Sequence, residues 1–343
     1  MDILNNVQQT SLVSVVMPAY NAEKTIAGAV LSLKSQTYSN WELIIVDDKS
    51  TDATIEVVEK LSQLDSRIRL IKRTENSGGC RIPRFEAVLA ALGDYICYLD
   101  ADDVLEATYI EKVIERIKET GADVVLTRLV LRRDGNNFAS IPEESFDMQR
   151  LVSGEDACRM TLGKWEISVS GALSTSLYYK SFVEAALTNS SPLCFMDEVD
   201  YRKFLYYAKK VAFSDAIYYY EQYDTSIVHN VGKLSHRLFS QKELFNFVKS
   251  SFYQYNAVIL DVYMDSIEVM YRAGCRVMYN KKNIENELYE NIRKSLKSYY
   301  SWLCSQKLPV KGLKYSLLMS SYTIFLFICY MQCVRCMIKE KYL

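Results

Sequence analysis

Apolar positions in the first 130 residues keep two alternating rhythms. Short unbroken apolar runs recur, and each is followed by a stretch whose apolar residues return every third or fourth position. An unbroken run suits a strand buried on both faces, and the wider spacing suits one face of a helix. Val13-Ser14-Val15-Val16-Met17 predicts a buried strand stopped by Pro18. A helix over about 23–36 follows, with Ile26, Ala29, Val30 and Leu33 on one face, and residues 41–46 predict a second strand ending in Asp47-Asp48. Asp52 is a candidate N-cap for a helix through Ile55, Val58 and Leu61. Residues 68–71 predict a third strand, and the Gly78-Gly79 loop opens a helix running to Ala91. Tyr95-Ile96-Cys97-Tyr98-Leu99 is the fourth strand, followed by a helix over about 105–118 and a strand over 123–131.

Strands alternating with helices of this length predict an α/β fold with right-handed crossovers and a mostly parallel sheet. That topology puts the ends of strands one, two and four on one edge, where ligands bind in open α/β sheets. The residues at those ends are Tyr20, Asn21, Asp47, Asp48, Asp100, Asp102 and Asp103. Residues 132–145 read as a polar loop, and 146–235 as a mixed region. That region contains Asp197-Glu198 opening a helix through Phe204 and a strand-like run, Ile217-Tyr218-Tyr219-Tyr220. Beyond Ser235 only Gly274, Pro309 and Gly312 interrupt long helical spacing. The expected division is therefore an α/β domain over 1–235, with halves of about 12–131 and 146–235, a helical appendage over 236–310, and an apolar and basic C-terminal helix over 311–343.

Composition narrows this little. With 343 residues, 49% hydrophobic and 24% charged, the chain has core material for one large domain and an appendage. A formal net charge of −1 argues against a nucleic-acid binder, which carries a basic excess. The first residues have neither a basic nor an apolar signal segment. Nine cysteines without framework spacing suit a reducing cytoplasm.

The chemistry concentrates after Leu99, where Asp100, Asp102 and Asp103 crowd three carboxylates into four residues. Such a group repels itself unless a cation sits in it, and a hard divalent cation takes oxygen ligands of this kind. A solvated turn that caps the next helix would use the same residues. The place at the end of a buried strand, beside Asp47-Asp48, favours a metal–diphosphate site. Asp47-Asp48 themselves suit either a ribose or base contact or a turn. Asn76-Ser77-Gly78-Gly79 with Pro83-Arg84 suits an anion at a helix start or a plain cap. Neither a P-loop nor a dinucleotide fingerprint is present.

The ordered set Val13 to Asn21, Ser35-Gln36-Thr37, Glu42 to Asp48, the Asn-x-Gly loop with Arg84, and Asp100-Ala101-Asp102-Asp103 resembles the family 2 glycosyltransferases over about 100 residues. The resemblance implies a GT-A type α/β/α sandwich with a helical appendage, a nucleotide-sugar donor (UDP-linked), a divalent metal (Mn²⁺ or Mg²⁺) and inversion at the anomeric carbon. The two halves of the α/β domain become a donor half and an acceptor half. Carried over by position, Pro18, Tyr20 and Asp48 contact the nucleoside with Asp47 in support. Asp100 and Asp102 lie at ribose and metal, with Asp102 the metal ligand, and Asp103 borders the sugar. Arg84 matches the basic position of its helix. Lys49 stands where many members have glycine, and Phe85 where many have asparagine.

Relatives place Glu-Asp at the start of a helix in the acceptor half, the second acid being the general base. Here Asp197-Glu198 reverses that order, so Glu198 is the first candidate base and Asp197 the alternate; a plain helix-dipole role competes. His229 is a metal-ligand candidate or a structural histidine. Cys333-Val334-Arg335-Cys336, with Cys329, lacks the partners of a zinc site and reads as helix packing. Residues 315–334 are 20 uncharged positions between Lys311, Lys314, Arg335 and Lys339, long enough to span a bilayer of roughly 30 Å. Peripheral contact with anionic lipid, a buried helix and a span are the three readings, and peripheral contact places the protein on the inner face of the membrane in the cytoplasm. The expected activity is transfer of a sugar to a glycan or lipid-linked acceptor in surface polysaccharide or glycolipid synthesis. A sugar-phosphate nucleotidyltransferase and a catalytically silent nucleotide-sugar binder are the rivals; the first lacks its Gly-rich basic loop after strand one.

Overall fold

The computed structural model describes residues 11–133, 135–141, 147–162, 176–188, 196–222, 234–281 and 284–341. Its strands are β1 (Val13–Ala19), β2 (Trp41–Asp47), β3 (Ile68–Lys72), β4 (Tyr95–Tyr98), β5 (Val104–Leu105), β6 (Val124–Arg133), β7 (Asn136–Ile141), β8 (Leu151–Val152), β9 (Leu177–Tyr179) and β10 (Val211–Glu221). They form one sheet in the order β3-β2-β1-β4-β9-β6-β10-β5, with β7 on β6 and β8 on β10. β3, β2, β1 and β4 are mutually parallel, as are β6 and β10; the short β9 runs against both β4 and β6. The ends of β1, β2 and β4 therefore share one edge.

Burial on both faces explains the unbroken apolar runs. Every residue of β2 is buried, and β1 is buried except at Pro18. Val13, Val15 and Met17 join the main core with helices α1 (Ile26–Lys34) and α4 (Tyr109–Thr120). By alternation Val16, Ile44 and Ile96 face the other side, where α3 (Arg81–Ala90) packs on β1 and β2. Helix α2 (Thr54–Leu64) covers β3. α4 buries Tyr109, Ile110, Val113, Ile114 and Ile117, each worth about 1.5–3 kcal/mol on full burial. It stops at Gly121, whose left-handed backbone (φ 64°) turns its N–H onto the Ile117 carbonyl.

Several expected boundaries move for identifiable reasons. Pro18 does not stop β1: β4 pairs only as far as Val16, so beyond it no neighbour asks proline for a donor. Leu105 leaves the expected helix and, with Val104, pairs antiparallel with Tyr218 and Tyr219, so α4 begins at Tyr109. Asp52 accepts from the Thr54 N–H at 3.0 Å but precedes the N-cap position, Ala53. The expected loop over 132–145 contains the end of β6 and β7, a hairpin with irregular register. Helices α5 (Gly154–Met160), α6 (Lys180–Thr188) and α7 (Met196–Tyr207) occupy the mixed region.

The chain divides into two compact units, one holding the sheet with its helices, the other the helices from residue 234 onward together with residues 196–199. The second unit comprises α8 (Leu234–Ser251), α9 (Asn256–Tyr279), α10 (Asn286–Ser305), α11 (Leu313–Ser320) and α12 (Tyr322–Lys341). α9 packs against α8, α10 and α12, around Phe245, Ile267, Met270, Ile292 and Leu296. Gly274 permits the α9–α12 crossing, since a Cβ there would lie 2.8 Å from Cys329 Sγ and from the Phe325 ring. Cys329 and Cys333 are buried in that crossing, the packing role read from the sequence. The 315–334 run is broken at Ser321, which is extended between α11 and α12. Among the described residues no helix is long and apolar enough to cross a membrane.

Candidate active site

Beyond β4 the chain turns, and its three aspartates part company. Asp100 receives the Arg84 guanidinium on both oxygens, at 2.6 and 2.8 Å. Arg84 is buried, reaching from α3 with its charge 5.7 Å from the Tyr98 ring centroid. Asp103 turns inward: the Tyr218 hydroxyl donates to it at 2.6 Å and the Glu221 N–H at 2.9 Å. The same hydroxyl accepts from the Asp100 N–H at 3.1 Å, so β10 fastens the whole turn. Burial pushes the Asp103 carboxyl well above the usual range, and the charges of Asp100 and Asp102 push the same way. Asp102 is left over. It is exposed, and no other described residue donates a hydrogen bond to its carboxylate. Crowding by the surrounding chain and then the Asp100 charge push its pKa up to about 6.

The end of β2 is more heavily braced. Asp47 accepts from the Ser50 N–H at 2.9 Å, and Ser50 Oγ accepts from the Asn21 N–H at 2.9 Å. Asn21 in turn accepts from the Thr51 N–H at 2.8 Å, tying the loops after β1 and β2 together. Lys49 sits in this turn with φ 65°, a conformation in which glycine is unstrained and lysine is not. Asp48 is buried and fully occupied: Arg73 pairs with it, while Ser77 donates from N–H at 3.0 Å and from Oγ at 2.8 Å. Asn76 donates to the Asp48 carbonyl at 2.8 Å. Asp48 therefore shapes the Asn76–Gly79 loop. Pro18 is half-buried in register with Val46, and Tyr20 stands exposed beyond it.

The sequence profile described as "Glycosyl transferase family 2" matches residues 14–171. Glycosyltransferase GlyG of Streptococcus pneumoniae serotype 4 is 31% identical over 230 residues, covering 66% of this chain and 76% of GlyG. The chain belongs to glycosyltransferase family 2. WfgD of Escherichia coli, a UDP-Glc:alpha-D-GlcNAc-diphosphoundecaprenol beta-1,3-glucosyltransferase, is 44% identical over 103 residues, 30% of this chain and 40% of WfgD. The crystal structure of S. aureus TarS 1–349 with UDP-GlcNAc superposes over 86% of this chain and 90% of TarS, with TM-score 0.52 and 18% identity. The GT-A fold implied by the resemblance is thus the fold found, and the chain is a glycosyltransferase.

Within this glycosyltransferase the donor-half candidates Pro18, Tyr20, Asp47, Asp48, Arg84, Asp100, Asp102 and Asp103 all gather along the predicted sheet edge. The carboxylates of Asp47, Asp48, Asp100 and Asp103 are engaged by protein groups. Asp197 and Glu198 lie in the first turn of α7, but their side chains are outside the described residues, as is His229. Among the described residues no three acidic, histidine or cysteine side chains form a closed metal site. The donor set fits something narrower. One exposed carboxylate in a negative potential suits a hard cation that completes its shell with phosphate oxygens.

Three anchors escaped the sequence reading. Arg81, on α3, pairs with Asp200 of α7 at 2.7 Å, both buried. Tyr98, Tyr178, Tyr201 and Phe204 interlock beneath them, ring centroids 5.3–6.4 Å apart. Tyr218 is the third, and only the alternation within 217–220 hinted that it faces inward. A groove of about 330 Å³ lies over β6, β7 and β10, its walls including Arg128, Asn137, Phe138 and Tyr219.

Proposed function

We propose that this protein is an inverting, metal-dependent glycosyltransferase that moves a sugar from a UDP-linked donor to a hydroxyl of a lipid-linked glycan on the inner face of the membrane. The unpartnered Asp102 carboxylate, held beside a braced Arg84–Asp100 pair at the edge of a GT-A sheet, carries the reading. Pro18, Tyr20 and Asp48 meet the nucleoside with Asp47 in support, Asp100 lies at the ribose, and Asp103 shapes the wall next to the donor sugar. Arg84 acts through Asp100. A divalent ion such as Mn²⁺ or Mg²⁺ at Asp102 supplies charge neutralisation for the diphosphate leaving group. TarS binds UDP-GlcNAc, and WfgD uses UDP-Glc with an acceptor on diphosphoundecaprenol; both support the UDP donor, and WfgD the lipid-linked acceptor.

The acceptor half, residues 146–235, receives the acceptor together with the groove over β6, β7 and β10, where Phe138 and Tyr219 offer rings and Arg128 and Asn137 offer donors to a saccharide. Glu198, with Asp197 as the alternate, takes the proton from the attacking hydroxyl as the new bond to the anomeric carbon forms and the bond to the diphosphate breaks. Residues 236–310 are the appendage and 311–343 the membrane-facing end.

A panel of UDP-sugars, each assayed with Mn²⁺ and with chelator, tests the reading. Turnover of one donor, lost with chelator and in Asp102→Asn, is expected. Glu198→Gln is expected to keep UDP binding while transfer falls by about 100-fold or more. Unchanged transfer there and a collapse in Asp197→Asn would move the base to Asp197; no turnover of any donor would overturn the enzyme reading.

A further inference from the structure

The last two helices have two unlike sides. On α12, Phe325, Cys329 and Cys333 recur every fourth residue and are buried, Phe325 and Cys329 lying against Gly274. The opposite side carries Ile324, Phe327 and Met331, at i, i+3 and i+7, with Tyr330 beside them; Phe327 is 61% exposed. α11, packed on α12, adds Leu317 and Leu313, the latter 78% exposed. A helix that is apolar all round belongs in a core, and this one is covered on one side alone. Six large exposed apolar residues on two adjoining helices exceed the scattered exposure of an ordinary surface.

Charge says what covers them. Residues 307–343 contain six basic residues and a single acid, in a chain whose net charge is −1. Lys307, Lys311 and Arg335 are exposed on this segment. Lys314 is compensated, since it pairs with Glu268 at 3.0 Å and lies over the Tyr271 ring. An apolar stripe edged by bases matches the interface of an anionic bilayer, where the rings and aliphatic chains enter the acyl boundary and the cations stay among headgroups. The break at Ser321 and the buried inner side suit a helix that lies along such a surface.

We propose that the outward side of α12, with Leu313 and Leu317 of α11, docks this protein onto an anionic lipid surface. The proposal deepens the lipid-linked acceptor reading and rests on it for its purpose, whereas the docking itself is measured without donor or acceptor. The full chain is sedimented with vesicles of phosphatidylglycerol and phosphatidylcholine, and with phosphatidylcholine alone. Binding to the anionic vesicles is expected to be at least about tenfold stronger and to weaken in about 0.5 M salt. The exposed double substitution Phe327→Glu/Met331→Glu should cut it by about tenfold or more while far-UV signal, melting temperature and donor hydrolysis stay as in wild type. Equal binding by the double variant, or no preference for anionic vesicles, overturns the proposal. So does a wild-type dimer in solution that the double variant turns into monomer, since a second copy would then be the cover. Loss of donor turnover with vesicle binding intact would instead strike the proposed activity alone.

Discussion

Replacing Asp102 with asparagine removes a charge that the metal-free protein accommodates poorly. The carboxyl, pushed up from 3.8 to about 6, binds its proton more tightly in the folded protein than in the unfolded chain. The stability linked to that proton is fully present below 3.8 and is lost as pH rises through about 6. A difference of about two pH units corresponds to about 3 kcal/mol for an enclosed group. Asp102 is exposed, and water screens most of that penalty, leaving about 1 kcal/mol. Asparagine keeps the shape without the charge, so Asp102→Asn should be more stable than wild type by about 1 kcal/mol above about pH 7 and equal to it below about pH 4. For a chain of this length that is about 1–2 °C. Thermal unfolding with chelator, both proteins in matched buffers across this range, reads the difference. Added Mn²⁺ with UDP should then raise the melting temperature of wild type and leave the variant where it was. A variant less stable than wild type near neutrality, an offset that ignores pH, or equal stabilisation by Mn²⁺ would refute the reasoning.

Lys49→Gly should stabilise the protein by about 0.5–1 kcal/mol, the left-handed strain of lysine less the extra freedom glycine gains on unfolding; urea unfolding checks it, and Lys49→Ala should bring no comparable gain. Arg81→Met leaves the buried Asp200 without its guanidinium and should cost about 3–5 kcal/mol, whereas Arg81→Met combined with Asp200→Leu should recover much of the loss. Additive losses in that double-mutant cycle would show that the pair is not coupled.

The donor half was readable because its physics is local. A strand buried on both faces must be continuously apolar, and a ligand edge in a parallel sheet must collect the polar residues that follow such strands. Asp47, Asp48, Asp100 and Asp102 announce themselves in that way. What was not readable depends on partners far away in the chain. Leu105 fits a helical spacing and was claimed instead by β10, more than 100 positions later. β9 and β8 are too short to carry a period, so neither was expected.

The same distinction explains why three similar aspartates have three different fates. Sequence order treats Asp100, Asp102 and Asp103 as one acidic cluster, but their partners differ: Asp100 has Arg84 from α3, Asp103 has Tyr218 and the Glu221 N–H from β10, and Asp102 has no donor among the other described residues. Two of the carboxylates are held by the protein, and that bracing fixes the turn on which the third stands. A carboxylate left exposed beside two held ones costs stability near neutral pH, and a cation bound there would return it. The separation also bears on Lys49, which keeps a strained backbone in the neighbouring turn that a glycine would relax. Both features trade folding stability for the geometry of one edge, as expected where a site rather than the core sets the choice of residue.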